Sequence, residues 1–380
     1  MTPPKILCTF GTRPDAVKMA PLVKQLQADG KMNCVVAVTA QHRQMLDQIL
    51  EIFQLTPDYD MNIMRDRQSL EDIATAILRE FPLILEKEKP DIVLVHGDTS
   101  TAFLSALVCF YRSIPVGHVE AGLRTSDPFI PYPEEMNRRL IDQIASLLLA
   151  PTRSAKNSLL MERHSPQSIY VTGNTVVDAL LTVSKLAEKV PLPDYIENLK
   201  ENRIILVTAH RRESWDDGLK RISVALREIV ETVKDAAVLF PIHKNPRVRE
   251  EMEPIIGNHP RITLIEPLDY LAFVQAMIHS YLILTDSGGI QEEAPSLNIP
   301  VLVMRDLTER SEGVHAGCVG VVGTYTDSIV ENTLELLTDS VKYNNMANSP
   351  NPFGDGLASD RIVKILKNYF GISKAPLEEF

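Results

Sequence analysis

The run Leu282-Ile283-Leu284-Thr285-Asp286-Ser287-Gly288-Gly289-Ile290-Gln291-Glu292-Glu293-Ala294 decides how the chain is read. Four apolar or β-branched residues lead into Asp-Ser-Gly-Gly, and helix formers follow. That order is strand, tight turn, helix start. Two glycines let the backbone come close to a bound group. The first N–H groups of a helix lack partners within it and carry the positive end of its dipole, so they suit an anion. Glu292 and Glu293 follow the two glycines at i+4, on the same helix faces. A carboxylate there can accept hydrogen bonds from sugar hydroxyls beside a phosphate. An ordinary Gly-rich connection is the plainer reading of the same letters.

The grammar repeats at the start of the chain. Lys5 to Phe10 is a buried-strand pattern that breaks at Gly11-Thr12-Arg13-Pro14. Helical spacing then runs from Asp15 to Leu26, with Pro14 at a first-turn position that needs no N–H. Arg13 and Lys18 bring two cations to this turn, where anion contact competes with the plain role of solvated helix charges. Strands and helices then alternate. Cys34 to Thr39, Asp91 to Val95, Pro115 to Val119 and Ser168 to Thr172 read as strands, and Gln41 to Phe53, Ser69 to Lys87 and Thr101 to Tyr111 as helices. Ser69 and Asp72 form a capping pair. Such alternation predicts a parallel sheet with helices on both faces, and ligands at the carboxyl ends of its strands.

Asp98 and Glu120 fall at those ends. Asp98 either caps the next helix or does chemistry; Glu120 stands at no obvious cap. The loop Thr125 to Pro133 is rich in proline and aromatics, and delivers Glu134-Glu135 to a helix start, where dipole compensation alone would explain the pair. The segment from Lys189 to Asn202, with Pro191 and Pro193, reads as a linker. Arg203 to Thr208 opens a second series of strands: Ala237 to Pro241, Arg261 to Ile265, Tyr281 to Thr285 and Pro300 to Val303. The first of the series ends at His210-Arg211-Arg212-Glu213, a cation cluster apt for a diphosphate or for proton transfer. His243 and Phe273 fall near strand ends. Phe273 can stack on a base, though a core aromatic is the default. The chain therefore predicts an α/β protein of two Rossmann-like doubly wound domains facing across a cleft. The boundaries are 1–172, with a tail helix at 360–380 packing back on it, and 173–359.

Composition sets limits. With 380 residues the chain has room for two cores. Hydrophobic residues at 44% and charged residues at 23% place it among folded globular proteins. A net charge of -11 argues against a nucleic-acid binder, so an anion must find a local positive site. Cys8, Cys34, Cys109 and Cys318 show no paired spacing, which suits reduced thiols in a cytoplasmic protein. The N-terminus lacks a signal-peptide pattern, and no apolar run is long enough to span a bilayer. No G-x-G-x-x-G follows a strand, no G-x-x-x-x-G-K-[ST] occurs, and no Cys/His cluster suggests a metal site. What remains suits a nucleoside diphosphate linked to a sugar.

Taken in order, the motifs form a larger pattern. Phe10-Gly11-Thr12-Arg13-Pro14, His96-Gly97-Asp98-Thr99, Gly117 to Thr125, Pro133-Glu134-Glu135 with Asn137-Arg138, Thr172-Gly173-Asn174-Thr175, His210-Arg211-Arg212-Glu213, Thr285 to Pro295 and Thr308-Glu309-Arg310 all occur. Over nearly its whole length the chain resembles the bacterial non-hydrolysing UDP-N-acetylglucosamine 2-epimerases. The resemblance implies a glycosyltransferase-B-like fold, a homodimer, no redox cofactor and no required metal. It implies interconversion of UDP-GlcNAc and UDP-ManNAc for cell-surface polysaccharide synthesis. By the same resemblance Asp98, Glu120, Glu134 and His210 are catalytic. Arg13, Lys18, Arg212, His243 and Arg310 belong to the substrate-binding set, as do Ser287, Gly288 and Gly289 at phosphate and Glu293 at the ribose. Phe273 lies at the uracil region, and Leu268, where the family often has Gln, beside the base. Gln41, His42 and Gln44 fall where relatives hold a second, activating UDP-GlcNAc. Asp15 stands where Glu is usual, Ser311 where Pro is common and Asn298 where Gly is common; none removes an acid or base. A sugar transferase on the same fold is the competing class.

Overall fold

The computed structural model describes the whole chain except Met1, Gln41, His42, Asp66, Arg67, Ser126, His210–Asp216 and Lys244. Its strands are β1 (Lys5–Phe10), β2 (Asn33–Val38), β3 (Tyr59–Asp60), β4 (Ile92–His96), β5 (Val116–Val119), β6 (Leu147–Ala150) and β7 (Ile169–Val171), followed by β8 (Arg203–Thr208), β9 (Ala236–Pro241), β10 (Ile262–Ile265), β11 (Leu282–Thr285), β12 (Val301–Val303) and β13 (Val319–Val321). One sheet has the order β3-β2-β1-β4-β5-β6-β7 and the other β10-β9-β8-β11-β12-β13. Neighbouring strands run parallel in both. These are the two doubly wound α/β domains expected from the sequence. In each, the order reverses once, between β1 and β4 and between β8 and β11, and that is where such sheets bind ligands.

Strands buried on both faces need nearly continuous apolar runs, which is how Lys5–Phe10 and Arg203–Thr208 read. In the first sheet Leu7, Val93, Val95 and Val116 pack with Ile77, Phe81, Leu85 and Val108 from the covering helices. In the second, Ile205, Val207, Val238, Phe240 and Leu284 pack with Leu226, Ile229 and Met252. Burial pushes the thiols of Cys109 and Cys318 up to about 12 and about 11. Both are core side chains, far from the reactive thiolate range.

The chain divides into two compact units, Met1–Ala179 with Phe353–Phe380, and Leu180–Pro352. The first division falls inside the helix Thr175–Ala187, later than the 172/173 boundary expected from sequence. The return comes at Phe353, ahead of the tail helix. That helix, Ala358–Tyr369, buries Ile362, Val363, Ile365 and Leu366. In the first unit it meets the helix Arg13–Asp29 through Gln25 Nε2 on Asp360 Oδ1 at 2.6 Å and an ion pair between Lys367 and Asp29. Asp178 accepts from Ala358 N at 3.2 Å and Ser359 N at 2.7 Å, which caps the tail helix.

One expectation needs correction. The segment from Lys189 to Asn202 is part of the second unit's packing rather than a loose linker. Ile196 and Leu199 are buried, and Gln275 Nε2 donates to the carbonyls of Ala187 and Val190 at 3.2 and 3.1 Å. Two prolines suggested extension, but the apolar residues after them, Ile196 and Leu199, found a core.

Candidate active site

In the first unit, charged groups gather at the carboxyl ends of β1, β4 and β5. The chain leaves β1 at Gly11, where a Cβ would lie 2.0 Å from Thr39 Oγ1 and 2.5 Å from Thr101 Oγ1; only glycine lets the turn pass. Thr12 caps the helix that follows. Its side chain accepts from Asp15 N at 3.4 Å, and its N–H donates to Asp15 Oδ2 at 3.3 Å. Arg13 opens that helix, half-buried. Asp15 also accepts from Thr99 Oγ1 at 3.2 Å, which links the exits of β1 and β4.

Glu120, directly after β5, sits in left-handed backbone with φ 69°. For a residue with a Cβ this costs roughly 1–3 kcal/mol and persists only where the surroundings enforce it. Its side chain is almost fully buried. The carboxylate accepts hydrogen bonds from the Lys18 ammonium and from Asn174 Nδ2, the latter at 2.7 Å. Lys18, expected at a diphosphate, thus sits on Glu120. Asn174 comes from the turn after β7. His96, the last residue of β4, lies with Nε2 3.8 Å from Glu120 Oε2 and Nδ1 3.8 Å from Asp15 Oδ1. These distances exceed hydrogen bonding, so the ring stands between two carboxylates without bonding either.

Asp98 is not the helix cap. Thr99 caps Ser100–Tyr111, its hydroxyl accepting from Ala102 N at 3.2 Å. Asp98 is left for other work, and its carboxylate accepts from Arg138 Nη2 at 2.5 Å while its carbonyl accepts from Asn137 Nδ2 at 2.9 Å. The Glu134-Glu135 pair divides. Glu135 is fully buried and takes Arg139 Nε at 2.7 Å and Thr125 N at 3.1 Å. It is structural. Glu134 stands half-buried at the first position of the helix Glu134–Ile144.

In the second unit, Ser287 stands at the N-cap position of the short helix Gly288–Glu293 without a side-chain capping bond, and its N–H donates to Thr285 Oγ1 at 3.0 Å. Thr285 shares a 2.6 Å hydrogen bond with Thr208, so the exits of β8 and β11 are tied together. The two glutamates after the glycines separate in role. Glu292, 2% exposed, accepts from Arg310 Nε at 2.9 Å. Glu293 accepts from the Tyr270 hydroxyl at 2.9 Å. Arg310 lies against the glycine turn: a Cβ on Gly288 would be 3.2 Å from its Cζ. Gly289 stands beside Glu293, with 3.7 Å to Oε1 for an added Cβ. Phe273 and Leu268 are half-buried, and His243 is exposed with Nδ1 accepting from Asn245 N at 3.2 Å.

His210, Arg212, Gln41 and His42 lie outside the described residues, and Gln44 is an exposed residue of the helix Arg43–Ile52. Among the described residues no group of three or more His, Cys, Asp or Glu could hold a metal ion. Two residues that sequence reasoning quoted only within motifs, Asn174 and Arg138, turn out to hold Glu120 and Asp98. His118, buried in β5, is a third, and its only signal is a histidine inside a strand of apolar residues.

A profile for UDP-N-acetylglucosamine 2-epimerase matches residues 24–367. The UDP-N-acetylglucosamine 2-epimerase of Escherichia coli strain K12 is 50% identical over 375 residues, covering 96% of this chain and 98% of its own. That of Bacillus subtilis strain 168 is 47% identical over 376 residues, covering 99% and 98%. Among solved structures, the UDP-GlcNAc 2-epimerase of Neisseria meningitidis bound to UDP-GlcNAc superposes with a TM-score of 0.86 at 45% identity, covering 96% of this chain and 100% of its own.

Proposed function

Since the chain belongs to the UDP-N-acetylglucosamine 2-epimerase family and is an isomerase, we propose that it inverts C2 of UDP-GlcNAc by eliminating and re-adding UDP. The C2 hydrogen of an N-acetyl sugar has no adjacent carbonyl on the ring to make it acidic. Breaking the C1–O bond sends its electron pair out with UDP and builds positive character at C1. The neighbouring C2–H then becomes acidic, and a carboxylate takes the proton while the C–H electrons form the C1=C2 bond of a glycal. Returning a proton to the other face of C2, and the UDP oxygen to C1, gives UDP-ManNAc.

The buried, strained Glu120 between Lys18 and Asn174 carries this reading. Its carboxylate is placed by its neighbours before any substrate arrives, as proton transfer requires. Asp98, fixed by Arg138, is the second candidate for the proton at C2. We assign Glu134 as the opposing acid and His210 to the glycosidic oxygen. Arg13 and Lys18 are assigned to the diphosphate, with Lys18 exchanging Glu120 for phosphate oxygen. In the second unit we assign Ser287, Gly288, Gly289, Arg310 and Arg212 to the departing phosphates, Glu293 to the ribose, and His243, Leu268 and Phe273 to the nucleotide and its base. Stabilising UDP as it leaves is the largest electrostatic demand of the reaction.

Incubation with UDP-GlcNAc in heavy water, followed by NMR, tests the proposal. Deuterium at C2 and a mixture of two UDP-sugars without any acceptor is the expected result. Free UDP in proportion to an added acceptor would instead identify a transferase, and unchanged UDP-GlcNAc a binding protein.

We further propose a homodimer. Leu78 and Leu83 on the helix Leu70–Glu88, and Phe110 and Tyr111 on the neighbouring Ser100–Tyr111, are exposed and support pairing with a second copy. Gln41, His42 and Gln44 are assigned to a second, activating UDP-GlcNAc. The cysteine spacing supports a cytoplasmic setting. Among the described residues no helix is long and apolar enough to cross a membrane. Supply of an N-acetylmannosamine donor for cell-surface polysaccharide is the role proposed.

A further inference from the structure

We propose that His118 is a positioning residue: a buried, doubly protonated imidazolium that clamps the loop carrying Asp98 to the loop carrying Glu120. The inference rests on the reading above, in which those two carboxylates act on the sugar. His118 lies on β5 with no exposed surface. Its Nε2 is 2.7 Å from the carbonyl oxygen of Gly97, and its Nδ1 is 2.6 Å from Asp142 Oδ1. A carbonyl oxygen only accepts, and so does an ionised carboxylate. Each ring nitrogen therefore needs its own proton.

Asp142 is ionised. Burial works against this, but the Arg124 guanidinium on its other oxygen helps hold its carboxyl below the usual carboxylate range. Its second oxygen is already occupied: Oδ2 accepts from Gly122 N at 3.2 Å and lies 2.7 Å from Arg124 Nη2. Arg124 in turn meets Glu162 through Nε and Nη2 at 2.7 and 2.6 Å. With His118 charged, the set His118, Asp142, Arg124 and Glu162 is electrically neutral. With a neutral ring, Asp142 and the partly exposed Glu162 would have to share the single cation of Arg124, which leaves the buried carboxylate less well compensated.

The geometry gives the cluster a task. Gly97 directly precedes Asp98, and Gly122 lies two residues after Glu120. A single path, Gly97 O to His118 to Asp142 to Gly122 N, spans the exits of β4 and β5. It fixes the spacing of the two backbone segments that present the candidate acid/base groups. None of the four side chains needs to touch the sugar. Small errors in such spacing are costly in catalysis because reacting atoms must be held near contact distance.

The test uses the full chain. His118→Gln keeps the volume, but an amide donates on one side only, and its oxygen must face an acceptor on the other. We expect kcat to fall about 50-fold with KM changed less than about 3-fold, since the substrate contacts remain. Adding Asp142→Asn makes the pair complementary again, as the new amide can donate to the glutamine oxygen. The double variant should recover to within about 5-fold of the parent. Nitrogen-15 NMR of the parent near neutral pH should show both ring nitrogens of His118 bearing protons. A single protonated nitrogen, a His118→Gln enzyme with the parent's kcat, or a double variant no better than the single would each overturn the inference. If His118→Gln does not fold, the NMR measurement decides alone. Failure of the functional reading is separable, because then the parent itself would place no deuterium at C2.

Discussion

Asn174 donates to the carboxylate of Glu120 at 2.7 Å across 54 residues of sequence, and that carboxylate stands on a left-handed backbone at φ 69°. A strained residue is useful only if its side chain is also held. Asn174 reaches it from the turn after β7, and Lys18 from the helix after β1. A hydrogen bond to a charged group is worth about 1.5–3 kcal/mol. Asn174→Ala should therefore lower kcat by roughly 10- to 100-fold while KM for UDP-GlcNAc moves little. Asn174→Asp, which sets a second negative charge against Glu120, should be worse. Steady-state kinetics on both variants is the check, and a parent-like kcat in Asn174→Ala would show that the contact does not matter.

Arg138 holds Asp98 as Asn174 holds Glu120. The 2.5 Å contact is the principal restraint on the Asp98 carboxylate once Thr99 has taken over the cap. Arg138 is itself largely buried, so its loss leaves a partly buried carboxylate without its cation. We expect Arg138→Met to reduce kcat about 10- to 100-fold, and Arg138→Lys to restore only part, because a single ammonium cannot reproduce the guanidinium's planar geometry. A Lys variant as poor as Met in kcat would mean that charge near Asp98 contributes nothing.

The residues that sequence revealed and those it hid differ in the range of their interactions. β1, β8 and β11 were legible because a strand buried on both faces writes itself as a continuous apolar run. The Ser69–Asp72 capping box was legible because its partners are three residues apart, and both of its bonds form. β6, Leu147–Ala150, went unread because four apolar residues after a helix look like its continuation; β13 is only three residues long. The choice between Asp98 and Thr99 as cap could not be made locally, since either side chain can accept. Asn174, Arg138 and His118 were hidden for one reason: each meets its partner across at least 21 residues. Local spacing carries no record of such pairs.

Gly288 lies so close to Arg310 that an added Cβ would stand 3.2 Å from Cζ and 3.4 Å from Nε and Nη2. The crowding group is the end of a flexible side chain, so it can move, but moving breaks its bond to the buried Glu292. Gly288→Ala should therefore fold normally and bind the nucleotide more weakly. On our assignment of this turn to phosphate, KM for UDP-GlcNAc rises about 10-fold with kcat reduced less. Calorimetric titration with UDP alone reads the same effect without catalysis. Unchanged UDP affinity would remove Gly288 and Arg310 together from the phosphate site.

Glu309 supplies a pH-dependent stability term next to that site. Its carboxylate accepts from Arg305 at 3.0 and 3.2 Å, with Arg310 3.9 Å away. Burial works against ionisation, but the Arg305 guanidinium prevails and the carboxyl is held down to about 2, against the ordinary 4.5. A folded-state value below the unfolded one stabilises the protein at pH above the unfolded value. That stabilisation is lost as pH falls through the folded value. Glu309 is about a third exposed, so solvent screening leaves a contribution of about 1 kcal/mol. Glu309→Gln should thus unfold at lower urea concentration than the parent at neutral pH, with the difference shrinking below about pH 4.5 and vanishing near pH 2. A gap that stays constant down to the lowest pH would assign the loss to packing rather than to charge. Arg305 would then have no electrostatic part in holding the loop that presents Arg310.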